Sequence, residues 1–138
     1  MLQGKELNLV LKHRKENKVM KGYTDLEQSK KLSEFLPIES SDMNYWCGTQ
    51  IRIGGYRAMD KDLDIPCWSL AALLDIIPYA IHKSDNEFYR LGIDKGYNDY
   101  AVWYSNNGLT INNLDVTSDN FVDACVEMII KLHEQNLL

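Results

Sequence analysis

Three runs of strand-forming residues follow one another between positions 87 and 112, separated by turns too short for anything but direct reversals. Residues 87–93 place Tyr89, Leu91 and Ile93 on one face, 100–104 is dense in aromatics, and Leu109 and Ile111 follow Asn107-Gly108. Asn-Gly tolerates the positive φ that a two-residue hairpin turn demands. Asp94-Lys95-Gly96 begins the other reversal. Parallel neighbours would need a crossover of a dozen residues or more. The segment therefore predicts a three-stranded antiparallel meander, around which the rest of the chain must be arranged.

Helical patterns flank it. Thr24-Asp-Leu-Glu27 reads as a capping box, in which the Thr24 hydroxyl accepts from the Glu27 N–H and the Glu27 carboxylate reaches back. Leu32, Phe35 and Leu36 supply an inward face before Pro37, which disfavours helical backbone at the residue preceding it. A first helix is expected over about 24–36. At the other end, Asp123, Glu127, Lys131 and Glu134 form a polar stripe opposite Phe121, Cys125, Met128, Ile129 and Leu132, with Asn120 as cap. That predicts a helix over about 120–136. Met43, Tyr45 and Cys47 alternate with Asn44 and Trp46 as in a strand, and Gly48-Thr49 can turn the chain into 50–53. The order helix, strands, helix, strands, helix lacks βαβ alternation. It predicts an α+β fold: a mainly antiparallel sheet of about four to five strands, with three helices (about 24–36, 68–77 and 120–136) packed on one face.

The 138 residues suit one domain, 23–138, preceded by a basic extension, 1–22. Residues 1–22 carry six Lys/Arg against Glu6 and Glu16, net +4; the remainder carries nine against eighteen, net −9. An acidic body resists nucleic acid, so contact with phosphate is expected only through the extension, whose cations more often form a solvated segment. The longest apolar run, within 70–77, is too short to span a bilayer and is broken by Asp75. A cytoplasmic protein without membrane contact is expected. Cys47, Cys67 and Cys125 are odd in number and widely spaced, which points to free, mostly buried thiols rather than a disulfide framework or zinc site.

The stretch DIPCWSLAALLDIIP, 64–78, puts a thiol and a hydroxyl at a helix start. Such a thiol can ionise more easily, and Ser69 could attack if a base stood beside it. Yet Ser69 is a natural N-cap, Pro66 suits the approach, and 70–77 is apolar nearly all round, so the expected role is the start of a buried helix. His13, His82 and His133 sit in no motif that would place one beside Ser69, and the spacing supplies no further ligands for a metal. Asp60-Lys-Asp62-Leu-Asp64 opens like a calcium loop, but position six is Ile65 and position twelve Ala71, so a charged loop is expected. Gly54-Gly55 fits no phosphate loop and reads as a bulge or turn. No cofactor, metal or catalytic residue is expected. The aromatics are more suggestive. Trp46, Tyr56, Tyr100, Trp103 and Tyr104 are the candidate binding residues; alternation sets Trp103 on the face opposite Tyr100, Val102 and Tyr104, so part of the set must face away from the core.

Three segments, YTDLEQSKKLSEFLPIES (23–40), IPCWSLAALLDIIP (65–78) and VDACVEMIIKLHEQNLL (122–138), resemble a widespread set of small uncharacterised proteins from phages and mobile elements of gut bacteria. The resemblance covers roughly a third of the chain, at its helices, and implies a constant helical frame beneath a variable sheet and loops. It also implies that residues 1–19 are an extension or an upstream start, since many members begin near the equivalent of Met20. It lends no catalytic residues. The expected function is a non-enzymatic accessory protein of a mobile element, binding a protein partner, or itself as a homodimer, through its sheet face and loops. The alternatives are a small enzyme or ligand-binding domain with a pocket near Cys67, and nucleic-acid contact through residues 1–22.

Overall fold

The computed structural model describes residues 21–84 and 86–138. The fold is α+β, with a dominant antiparallel sheet and three helices packed together. The helices are α1 (Leu26–Ser33), α2 (Leu70–Ile76) and α3 (Phe121–Glu134). The strands divide between two sheets. β1 (Met43–Trp46), β2 (Gln50–Ile53) and β3 (Ile65–Cys67) pair in the order β2-β1-β3; β4 (Ala80–Ser84), β5 (Glu87–Lys95), β6 (Tyr100–Asn106) and β7 (Leu109–Ser118) pair in chain order.

The meander forms as its turns require. Asn107 and Gly108 both take positive φ, 50° and 83°, and Asn106 pairs with Leu109 directly across them. The other reversal spans Gly96 to Asp99, closed by the Gly96 N–H donating to the Asp99 carbonyl at 2.9 Å. β3 and β4 lie beyond the sequence reading. Pro66 cannot donate to a ladder, and β3 tolerates it as an edge strand of the smaller sheet.

α3 is the spine of the core. Its Val122, Cys125, Met128, Ile129 and Leu132 are buried, and it packs on β6, β7 and α2. Asn120 caps it by accepting from the Asp123 N–H at 3.2 Å. α2 departs from expectation: Leu73 is its only buried residue, while Ala71 and Asp75 are exposed. Seven residues make barely two turns, so α2 rests one flank on α3 and leaves the other to solvent. No helix among the described residues is long and apolar enough to cross a membrane.

The capping box lies one residue later than expected. Asp25, not Thr24, accepts from the Gln28 N–H at 2.8 Å, and the Gln28 side chain accepts from the Asp25 N–H at 3.0 Å. The Thr24 hydroxyl is committed inward, to Ser29 Oγ at 2.7 Å and the Trp68 N–H at 3.2 Å. The basic extension lies outside the described residues, save Lys21 and Gly22. Both belong to the domain. Lys21 Nζ meets Asp123 Oδ1 at 2.6 Å and Asp25 Oδ2 at 3.2 Å, and Gly22 accepts from the Leu70 N–H at 2.9 Å.

The acidic loop organises itself. Asp64 is buried, and its carboxylate accepts from the Cys47 N–H at 2.8 Å and the Asp60 N–H at 3.0 Å, while Asp60 accepts from the Asp62 N–H. Those backbone donors hold the Asp64 carboxyl below the usual carboxylate range, against burial and with help from the Arg52 charge. A depressed folded-state pKa contributes stability that is fully present above the unfolded value, near 3.9, and is lost as pH falls through the folded value. The urea midpoint of the wild type is therefore expected to hold down to about pH 5 and fall below about pH 4. Asp64→Asn removes part of that acid slope; an unchanged slope in the variant would show that Asp64 is not held as described.

Candidate functional site

The segment around Cys67 is a structural node. Cys67 is fully buried; its thiol donates to the Thr24 carbonyl at 3.4 Å and accepts from the Thr24 hydroxyl at 3.5 Å. Burial pushes this thiol up, only partly offset by the hydrogen bonds from Thr24 and Ser29. Ser69 caps α2 by accepting from the Ala72 N–H at 3.2 Å, and its own hydroxyl donates to Asp42 Oδ2. The Tyr45 hydroxyl donates to the Thr24 carbonyl at 2.8 Å, and burial raises it to about 12. Cys125 is likewise buried and pushed up to about 12. These groups tie residues 22–24 and β1 to the start of α2, and neither of the described histidines, His82 and His133, takes part in these hydrogen bonds. The thiols are free and mostly buried, as expected; Cys47 is the exposed one, at φ 50° in the turn between β1 and β2. An iodoacetamide time course on the native protein should therefore modify Cys47 alone, with Cys67 and Cys125 reacting only after unfolding.

The candidate aromatics part company. Tyr104 is fully buried, its hydroxyl bonded to the Pro78 carbonyl, so it presents nothing to a ligand. Tyr100 faces the helix side as well, half-buried and stacked on Phe121 with centroids 5.1 Å apart. Both belong to the core side of β6, because strand alternation carries 100, 102 and 104 to the same face. Trp46 is 45% exposed on the smaller sheet, with the Arg52 guanidinium 5.8 Å from its ring centroid; Tyr56 is half-buried in a 3-10 turn that follows β2. Of the five candidates, Trp103 is the one on the outer face of the larger sheet.

That outer face carries Phe88, Arg90, Gly92 and Asp94 from β5; Ala101, Trp103 and Ser105 from β6; and Thr110, Asp115 and Thr117 from β7. None of these is buried. Gly92 pairs with Trp103, and the indole lies across it: a Cβ on Gly92 would stand 2.5 Å from Cζ2 and 2.8 Å from Nε1. The missing side chain is what lets the ring lie flat on the sheet. The β6–β7 register then slips. Trp103 pairs with Asp115, but Ser105 pairs with Thr110, so residues 111–114 stand opposite Tyr104 alone. Such bulges bend a strand and re-aim its side chains. Beside this one lies a cavity of about 170 Å³ walled by Trp103, Thr110, Asp115 and Thr117. A second hollow, of about 470 Å³, is lined by Phe88, Arg90, Ser105, Asn106 and Asn107. Arg90 turns onto Phe88, 5.4 Å from the ring centroid, and Phe88 meets His82 in a T-shaped contact with ring centroids 4.7 Å apart.

Fold and face together define a small α+β domain that covers one side of its main sheet with helices and presents, on the other, a tryptophan seated on glycine. Comparison with known proteins finds no matching family model, no matching curated protein and no matching solved structure. Among the described residues no group of three or more His, Cys, Asp or Glu is placed to hold a metal ion.

Sequence reasoning singled out Trp103 but missed Gly92, Asp115 and Arg90. The glycine inside a strand pattern was a legible signal of close approach. The other two become neighbours only through cross-strand register.

Proposed function

We propose that this chain is a non-enzymatic accessory protein of a phage or mobile element, cytoplasmic, that binds a protein partner or a second copy of itself through the outer face of its larger sheet. One observation carries the reading: Trp103, a large amphipathic side chain, is held by Gly92 on a face where none of the described side chains is buried. Tryptophan is among the residues most enriched where binding energy concentrates, and its fixed orientation lowers the entropy lost on contact. The acidic body and the resemblance noted above support the same reading.

Light scattering over a concentration series, beside affinity capture from host lysate, tests it. Self-association or a discrete retained protein is expected, and Thr117→Arg, which plants a charged side chain on the outer face, should abolish either while leaving the unfolding midpoint unchanged. A strict monomer that retains nothing overturns the reading, as does binding indifferent to Thr117→Arg.

A further inference from the structure

We propose that the cavity between Trp103 and Asp115 receives an arginine side chain from a basic segment of the protein partner, an inference that rests on the sheet-face reading above. The lining selects for that chemistry. Trp103 borders the cavity with its indole leaning onto Gly92 of the neighbouring strand, Asp115 brings a carboxylate directly across the ladder, and Thr110 and Thr117 bring hydroxyls that can accept. A guanidinium donates in a planar fork that matches a carboxylate.

The competing occupants fit less well. Among the described residues no lysine or arginine lines the cavity, so an anion would meet Asp115 uncompensated there. A purely apolar side chain would strip water from the carboxylate and return no hydrogen bond. The cation on the neighbouring β5, Arg90, is drawn away onto Phe88. A second carboxylate, Asp94, stands on the same face, paired with Ala101 of the cavity wall. Net charge points the same way: residues 23–138 carry −9, which attracts a basic segment and steers its approach. The volume, about 170 Å³, leaves room for one long side chain rather than a folded element.

The test follows the Trp103 indole N–H by NMR in the full, isotopically labelled chain, assigned by its loss in Trp103→Phe. The probe is the capped peptide acetyl-Gly-Arg-Gly-Arg-Gly-amide, beside the same peptide with citrulline for arginine. A saturable shift is expected with arginine and none with citrulline. It should weaken as salt is raised and weaken by about tenfold or more in Asp115→Asn. The Trp68 indole, bonded internally to Ser40, should stay still and serves as the control. No saturable shift, equal binding of the citrulline peptide, or indifference to Asp115→Asn each overturns the inference. A shift with neutral sugars instead would assign the cavity to a polyhydroxyl ligand and likewise overturn it. If partner capture or self-association is still lost in Thr117→Arg while the peptide fails, the sheet-face reading stands and only the arginine assignment falls.

Discussion

Trp68→Ala is expected to lower the unfolding free energy by about 3–5 kcal/mol, the range for deleting a fully buried aromatic side chain. Trp68 is the largest fully buried side chain, and it is more than filler. Its indole N–H donates to Ser40 Oγ at 2.9 Å, its backbone N–H to the Thr24 hydroxyl, and its carbonyl accepts from the Thr24 N–H at 2.9 Å. One residue thereby joins the stretch before α1, the turn before β1 and the start of α2. Truncation opens a cavity and also removes the donor to Ser40, a second cost of about 1 kcal/mol. Trp68→Phe keeps most of the volume and loses the same donor, so it should cost clearly less and remain folded if the alanine variant does not. Urea denaturation followed by circular dichroism measures both. A loss below about 1 kcal/mol for the alanine variant would mean that the ring is not packed as described.

What could be read from the sequence depended on how local the deciding interaction was. The Asn107-Gly108 turn, the Asn120 and Ser69 caps and the apolar stripe of α3 are settled within a few residues, and they form as read. The first capping box was not decidable locally. Thr24/Glu27 and Asp25/Gln28 both match the pattern, and the choice falls to Asp25 because Trp68, forty-odd residues away, takes the Thr24 hydroxyl. The division of the strands into two sheets rests on pairings such as Tyr45 with Ile65, which no local pattern encodes. The candidate site shows the same divide. Period-2 alternation placed Trp103 correctly against Tyr104, but only the β5–β6 register reveals Gly92 beneath its ring.

That register yields a sharper expectation. Gly92→Val should destabilise the protein by about 1–3 kcal/mol, because two branches now occupy the space of the indole and force it off the sheet. Trp103→Ala should cost less for stability, since the ring is only half-buried, but should remove binding at the outer face by about 2 kcal/mol or more, the scale of a central aromatic anchor. The two changes are not independent. With the ring already gone, the valine has nothing to clash with and adds a β-branched residue suited to a strand interior. Gly92→Val in the Trp103→Ala background should therefore be neutral or stabilising, giving a coupling of about 1–3 kcal/mol between the positions in a double-mutant cycle. Additive costs would mean that the indole does not rest on Gly92. In binding, Gly92→Val alone should match Trp103→Ala, since a displaced ring serves a partner no better than an absent one; a single valine that leaves binding intact would show that the tryptophan works from some other position.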